Sequence, residues 1–381
     1  MIKILVTGDN HIGKKYTRYA AIKDELIKSR FVSLDDMVKK AEHEGCSLFV
    51  VTGDLFDNVS SIKTSDVKQV VDILSSFSGN VLVLPGNHDY YTGEEKLWRD
   101  FEKCLSSKAN NITILNEYRP FEFEVGDETV VIYPAYCQSK HSKENNLDWI
   151  KESDFAENSV GTYSIGVAHG AIEGLTPDMM EEYFLMSENE LNAIPVDAWF
   201  IGHTHIQYPL LKDNEIAEGH KIFNPGTHEQ TDLHNNTEGV CFLVELDRSN
   251  GTVTTKATKS CSGRVRYYDL KLTYNSDTGK SLSNSISQLV SDVDINSIVR
   301  ITVDGSVKED EYKDRGKIYE SLLSKFLFYE IEDSELSEEI TIEKIRAEYS
   351  ELSFAAQFME QFMDNPVELQ MAYQLVKKCK G

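Results

Sequence analysis

Five short segments of this chain set residues able to ligate a cation or carry a proton next to a glycine. They are Gly8-Asp9-Asn10-His11, Gly53-Asp54-Leu55-Phe56-Asp57, Gly86-Asn87-His88-Asp89, Ala168-His169-Gly170 and Gly202-His203-Thr204-His205. Half of the chain's ten histidines fall inside them, which scattered surface histidines would not do. Seven side chains are candidate metal ligands: Asp9, His11, Asp54, Asn87, His169, His203 and His205. A mixed imidazole and carboxylate shell suits manganese, iron or zinc. It is too rich in nitrogen for calcium and lacks the thiolates of a structural zinc site. Seven protein donors exceed the needs of one tetrahedral ion. They suit two divalent ions sharing a bridge, and the Asp54 carboxylate can hold cations about 3.5–4 Å apart.

Side chains so far apart in sequence need a scaffold that brings them together. Short β-rich apolar runs recur at Lys3–Thr7, Ser47–Thr52, Val81–Leu84, Thr129–Tyr133, Ser164–Ala168, Ala198–Ile201, Lys221–Phe223 and Val240–Leu246. Each of the five segments follows one of these runs. Helical spacing of apolar residues marks Phe31–Glu44 and Ser65–Phe77. Continuously apolar strands imply sheets covered on both faces, an α/β sandwich whose strand ends converge and whose loops carry the site. This first domain is expected over 1–262. A second, β-α-β-α-β unit is expected over 265–338, from the strands Tyr267–Tyr274, Ser297–Val303 and Phe328–Glu332 and the helices Lys280–Val293 and Glu309–Leu327. A helical region follows over 341–381, where Phe354, Phe358 and Phe362, with Met359 and Met363 beside them, form a stripe suited to self-packing or to a partner helix.

Composition narrows the class further. The 39 Lys and Arg against 63 Asp and Glu leave a net charge of −24, so nucleic-acid binding would need a local basic patch, the metals or a partner. Lys14, Lys15 and Arg18, interleaved with Tyr16 and Tyr19, are one candidate patch. Six cysteines without a CxxC pair fit reduced thiols in a cytoplasm. No run is long enough for a membrane helix and the N-terminus reads as a strand, so a cytoplasmic protein without a membrane partner is expected. Asp89 reads as a cap on the following segment and His228 as structural, while His43, His141, His220 and His234 read as surface residues.

The series D-x-H, GD-x-x-D, GNH(D/E), H and G-H-x-H resembles the calcineurin-like metallophosphoesterase superfamily, from Lys3 to about residue 230. The wording GDLFD, GNHD, AHG and GHTH is similar to the SbcD-type DNA double-strand-break repair exonuclease subunits. The resemblance implies a two-sheet α/β sandwich metallophosphoesterase core, a small α+β capping domain and C-terminal helices. It implies two divalent ions, foremost Mn2+ with Fe2+ or Zn2+ as alternatives. Asp9, His11 and His205 would join Asp54 on one, and Asn87, His169 and His203 would join Asp54 on the other. A metal-activated hydroxide would attack phosphorus in line. His88 would protonate the leaving oxygen or stabilise charge on it, and Asp57 would accept a hydrogen bond from His88 and fix its tautomer. The archaeal and eukaryotic relatives place His where this chain has Asp57. The implied function is a DNA nuclease, an exonuclease with or without endonuclease activity, whose partners are DNA and an SbcC-type SMC-like ATPase docked on the C-terminal helices; a homodimer is left open. The rivals are a small-molecule nucleotide phosphodiesterase or phosphomonoesterase of the same superfamily, and an adaptor that only binds.

Overall fold

The computed structural model of the protein describes all residues except 107–110, 154, 156–161, 176–179, 181, 235–236, 250, 276–278 and 381. The chain divides into two units, Met1–Arg266 and Tyr267–Gly381.

The first unit opens with β1 (Ile2–Thr7), α1 (Lys23–His43), β2 (Leu48–Val51), α2 (Thr64–Leu74), β3 (Asn80–Val83), α3 (Lys96–Leu105) and β4 (Ile112–Ile114). It continues with β5 (Phe121–Val125), β6 (Glu128–Ala135), α4 (Asp148–Lys151), β7 (Thr162–His169), α5 (Glu188–Ala193) and β8 (Ala198–Gly202). The strands β9 (Ile216–Glu218), β10 (Ile222–Phe223), β11 (Val240–Ser249) and β12 (Thr252–Cys261) complete it. They form two sheets, ordered β4-β3-β2-β1-β11-β12-β9 and β10-β8-β7-β6-β5. Strands β1 to β4 run parallel in the first sheet, as do β6, β7, β8 and β10 in the second.

Successive side chains of a strand point to opposite faces, and burial on both faces is what makes these runs continuously apolar. In β1, Ile4 and Val6 pack between the sheets with Val50, Leu82, Ile165 and Phe200. Leu5 turns the other way, to join Leu34, Val38, Val70 and Trp98 of the three covering helices. The outer face of the second sheet carries Trp199 and Ile201 against Leu191 and Ile150. The result is a four-layer α/β/β/α sandwich. Truncating one of its central apolar side chains to Ala would cost about 2–5 kcal/mol.

Strands β4, β5, β9 and β12 and helix α3 fall outside the runs expected from sequence. The criterion of continuous apolarity passes over them because each is short or half-exposed. Strand β12 reads TVTTKATKSC, yet it pairs with β11 along ten residues and lies between two other strands.

The second unit contains β13 (Arg266–Asn275, which starts at the division), α6 (Leu282–Leu289), β14 (Ser297–Val307), α7 (Glu309–Leu323), β15 (Phe328–Glu332) and β16 (Leu336–Glu338). Its sheet runs β13-β14-β15, with β16 also paired to β14. Ser281 caps α6, its hydroxyl accepting the Asn284 N–H at 3.1 Å, so the helix starts later than the apolar spacing suggests. The terminal region is three helices, α8 (Ile342–Glu348), α9 (Phe354–Glu360) and α10 (Pro366–Lys380), around a separate cluster that includes Ile345, Met359 and Tyr373. The expected Phe/Met stripe is split. Met359 is buried, Phe358 and Phe362 lie at the margin of the cluster, and Phe354 is 83% exposed. Among the described residues no helix is long and apolar enough to cross a membrane.

Candidate metal centre

The C-terminal ends of β1, β2 and β3 in one sheet and of β7 and β8 in the other come to one place, and each delivers one of the five segments. The loops after β1 and β2 run side by side. Asp9 N–H donates to the Gly53 carbonyl at 3.1 Å, His11 N–H to that of Asp54 at 2.9 Å, and Asp57 N–H to that of Ile12 at 2.9 Å. Four ligand candidates adopt positive φ: Asp9 (49°), His11 (44°), Asp54 (52°) and His203 (100°). Residues other than glycine seldom occupy that region, at a cost on the order of 1–3 kcal/mol each. Such strain persists where neighbouring structure enforces it, typically at functional sites. The glycine before each ligand has a separate cause. A Cβ on Gly53 would collide with the His169 ring, and one on Gly86 with the Asp54 carboxylate and backbone.

All seven candidate ligands are brought together. Asp9, His11, Asp54, Asn87 and His169 are buried, whereas His203 and His205 are partly exposed, which gives the site a closed floor and an open rim. On one side, ligand atoms of Asp9, His11 and His205 lie within 4.8 Å of one another. The His11 and His205 Nε2 atoms face each other at 3.1 Å, and His11 Nε2 stands 3.9 Å from Asp54 Oδ2. On the other side, Asn87 Oδ1 lies 3.0 Å from His169 Nε2 and 3.2 Å from His203 Nδ1. His169 Nε2 is 3.4 Å from Asp54 Oδ1. Asp54 thus approaches both groups, and Asp9 lies with Asp54 and His169 as well as with His11 and His205.

Several ligands are aimed by a second hydrogen bond. His169 Nδ1–H donates to the Thr52 carbonyl at 2.8 Å, which turns Nε2 inward. The Asn87 amide donates to the Lys140 carbonyl at 3.2 Å, which leaves its oxygen facing the histidines. The Asp9 carboxylate accepts the His203 N–H at 2.9 Å and ties the first loop to the last.

Asp57 does not bind as expected. His88 Nδ1 meets the backbone carbonyl of Asp57 at 3.0 Å, while the Asp57 carboxylate stands 3.5 Å from His11 Nδ1. The tautomer of His88 is therefore set by main chain, and the Asp57 side chain supports a ligand. The physical reason is the turn after Asp54, whose Asp57 N–H is committed to Ile12 and whose side chain faces the first loop. Asp89 is no cap on the following segment. Its two oxygens accept the Gly86 N–H at 2.7 Å and the Phe56 N–H at 3.0 Å, bracing two ligand loops from full burial. Tyr16 and Tyr19 are buried, and Tyr16 bonds to Arg30, so they offer no stacking surface between Lys14 and Arg18. Sequence reasoning missed Arg30. It is buried in α1 and donates to the Asn10 carbonyl at 2.6 Å, and a lone charge inside an apolar helix face was its only signal. His228 is buried with Nε2 3.2 Å from the Arg30 carbonyl, and His43, His141, His220 and His234 are exposed.

The electrostatics favour positive charge at the centre of the site. Burial, with the nearby Asp54 charge adding to it, drives the Asp9 carboxyl well above the usual range. Burial also disfavours charge on Asp54, but the His169 imidazole outweighs it and holds that carboxyl low. His169 is opposed by burial yet raised to about 9 by Asp54 and Asp9. Burial pushes His11 down, with His88 and Arg30 adding to it, and burial followed by the nearby His11 pushes His205 well below its usual range. Two carboxylates in so dry a place cannot both stay charged without positive charge between them.

The family model for calcineurin-like phosphoesterases matches residues 2–207, more than half of the chain. The chain belongs to the calcineurin-like phosphoesterase family. No curated protein is similar enough to match it. Among solved structures, it is similar to the calcineurin-like phosphoesterase YfkN of Bacillus subtilis, at 14% identity and a TM-score of 0.40 over 76% of this chain and 95% of that one. It is similar to TT1561 of Thermus thermophilus, at 12% identity and a TM-score of 0.38 over 59% and 89%. It is also similar to a dimetal phosphatase of Danio rerio, at 13% identity and a TM-score of 0.34 over 58% and 86%.

Calcineurin-like phosphoesterases are hydrolases of phosphoester bonds that use a dinuclear metal centre. The donors of this chain fit such a centre. Imidazole nitrogens and carboxylate or amide oxygens face one another in two groups that share Asp54. Inward-facing His169 Nε2 meets only oxygen acceptors, an arrangement that needs a proton or a cation between them.

Proposed function

We propose that this phosphoesterase cleaves DNA as a metal-dependent phosphodiesterase, an exonuclease acting as the nuclease subunit of an SbcC/SbcD-like repair complex. The observation that carries diester hydrolysis is the pairing of seven convergent donors with His88, a partly exposed imidazole beside them. Two divalent cations, when bound, supply Lewis-acid stabilisation of phosphoryl charge and a water acidic enough to act near neutral pH. Asp9, His11, Asp54 and His205 would hold one ion, and Asp54, Asn87, His169 and His203 the other.

The remaining chemistry belongs to the chain. The His88 backbone N–H donates to Asp54 Oδ1 at 2.8 Å, which ties the loop carrying the imidazole to the shared carboxylate. With Nδ1 held by the Asp57 carbonyl, Nε2 is the atom that would give a proton to the departing oxygen. The rigid floor fixes the donors before substrate arrives, which lowers the cost of organising them during reaction.

Support for DNA comes from the resemblance of GDLFD, GNHD, AHG and GHTH to SbcD-type subunits, and from a second unit placed after the phosphoesterase core as in those proteins. Support for a protein partner comes from an apolar groove of about 510 Å3 between α9 and α10, beside exposed Phe354 and Leu375. The net charge of −24 fits a subunit that borrows DNA affinity from a partner, while a small nucleotide ester would need no such partner. The deciding assay gives purified protein and manganese end-labelled linear DNA alongside bis-p-nitrophenyl phosphate and mononucleotide esters. Digestion of DNA is expected. Turnover of the small esters with DNA left intact would replace the nuclease reading by the small-molecule one.

A further inference from the structure

A chain carrying so much negative charge must meet a nucleic-acid strand through a local feature, and one lies against the metal centre. The loop 139–144 is tethered to a ligand candidate itself, since the Asn87 amide donates to the Lys140 carbonyl. It is also stitched to the 182–184 segment, with Ser142 N–H on the Glu182 carbonyl at 2.8 Å and Phe184 N–H on that of Ser142 at 3.0 Å. Within the loop the Ser139 hydroxyl donates to the His141 carbonyl at 2.9 Å, and that of Ser142 to the Glu144 carbonyl at 2.9 Å. A loop so braced presents its side chains in fixed positions.

Those side chains form a graded series of rings leading out of the site. The Tyr183 ring lies 5.0 Å from that of His203 at an interplanar angle of 31°, and the His141 ring lies 5.2 Å from Tyr183. His203 belongs to the centre, Tyr183 is half-buried and His141 is exposed. On either side of His141 stand Lys140 and Lys143, both exposed. Cations alternating with aromatic rings are what a single strand needs: charge for the phosphates and a flat face for an unpaired base. Inside a duplex the base faces are already stacked, so only an unpaired base or a terminal pair offers a face to such a ring.

We propose that Lys140, His141 and Lys143, with Tyr183 behind them, form a landing track that holds a single-stranded DNA end on the Asn87–His203 side of the centre. The phosphates lie on the two lysines and one base stacks on the His141 ring. The track rests on the nuclease reading and names the form of DNA that the site accepts.

The test uses full-length protein in a His88→Ala background, so that a fluorescent oligodeoxynucleotide is held and not cut, with anisotropy followed across a salt series. Lys140→Ala/Lys143→Ala should lower the slope of log affinity against log salt by about 1.4, two single-strand phosphate contacts at about 0.7 each. His141→Ala should weaken binding of a normal strand about ten-fold and of an abasic strand far less, while His141→Phe restores the normal strand. An unchanged salt slope, or equal losses on normal and abasic strands, would overturn the track. With His88 intact, loss on the oligonucleotide should exceed loss on bis-p-nitrophenyl phosphate about ten-fold in each variant. If the wild-type protein digests DNA and the track variants match it, the track fails and the nuclease reading stands. If it turns over only small esters while strand binding depends on the track as described, the nuclease reading fails and the track stands.

Discussion

In the first unit many of the buried polar side chains gather in one place. Asp9, Asn10, His11, Asp54, Asn87, Asp89 and His169 are all nearly inaccessible and all follow the ends of parallel strands. In the second unit Ser297 is the one non-aromatic polar side chain buried among the described residues, and Leu352, Phe354, Met371 and Leu375 stand exposed, as Leu210 and Ile216 do in the first. The two patterns cost free energy in opposite ways. Burying a polar group without a partner costs about 1–3 kcal/mol, and more if it is charged. Leaving apolar area in water forgoes about 25 cal/mol per Å2. The first unit is organised around charge to be supplied by a ligand, whereas the second is built around apolar clusters with no such polar centre among the described residues.

The comparison can be broken most severely at Asp54, which both donor groups share. Asp54→Asn should remove several kcal/mol of transition-state stabilisation, roughly a 10³-fold loss of turnover on bis-p-nitrophenyl phosphate. A loss below ten-fold would mean that the two groups do not work through a common carboxylate. His88→Ala should lose about 10²–10⁴-fold in kcat while elemental analysis still finds the wild-type metal content. Metal loss in that variant would make His88 a ligand and not an acid.

Manganese should stabilise one unit only. At a hundred times its dissociation constant, a single bound ion adds about 2.7 kcal/mol to whatever holds it. Hydrogen exchange should therefore slow in the loops after β1, β2, β3, β7 and β8 and stay unchanged in β14 and α7; equal protection of both units would contradict this. Asp57→Ala should cost about 10–100-fold through weaker metal retention, since its carboxylate backs His11 and its carbonyl, which holds His88, survives the change. A kcat loss at full metal occupancy would return the carboxylate to His88. The smallest effect is expected at Phe354, where replacement by Ser should move the stability of the second unit by less than about 0.5 kcal/mol. A larger shift in its denaturation midpoint would show that the ring is packed and does not wait for a partner.

Much of this was legible from residue order alone. Continuous runs such as KILVT, SLFVV and AWFIG announce strands covered on both faces, and glycine followed by Asp, Asn or His marks where a backbone must approach another closely. The five segments identify their own ligand candidates, because His and Asp so concentrated behind strands have little structural use. What residue order does not carry is direction. Asp57 contributes its carbonyl to one histidine and its carboxylate to another, Asp89 braces two loops, and Arg30 reaches back from α1 to the first loop. Each depends on which way a side chain turns between segments well separated along the chain, which only the closed sandwich decides. Strand β12 was hidden for a related reason, since pairing on both sides stabilises a threonine- and lysine-rich segment that its own side chains would not. The types of the ligand candidates were thus written in the sequence by spacing and composition. Their convergence around Asp9 and Asp54, and the split of the Phe/Met stripe into buried Met359 and exposed Phe354, came from packing, because register and burial are properties of the whole chain.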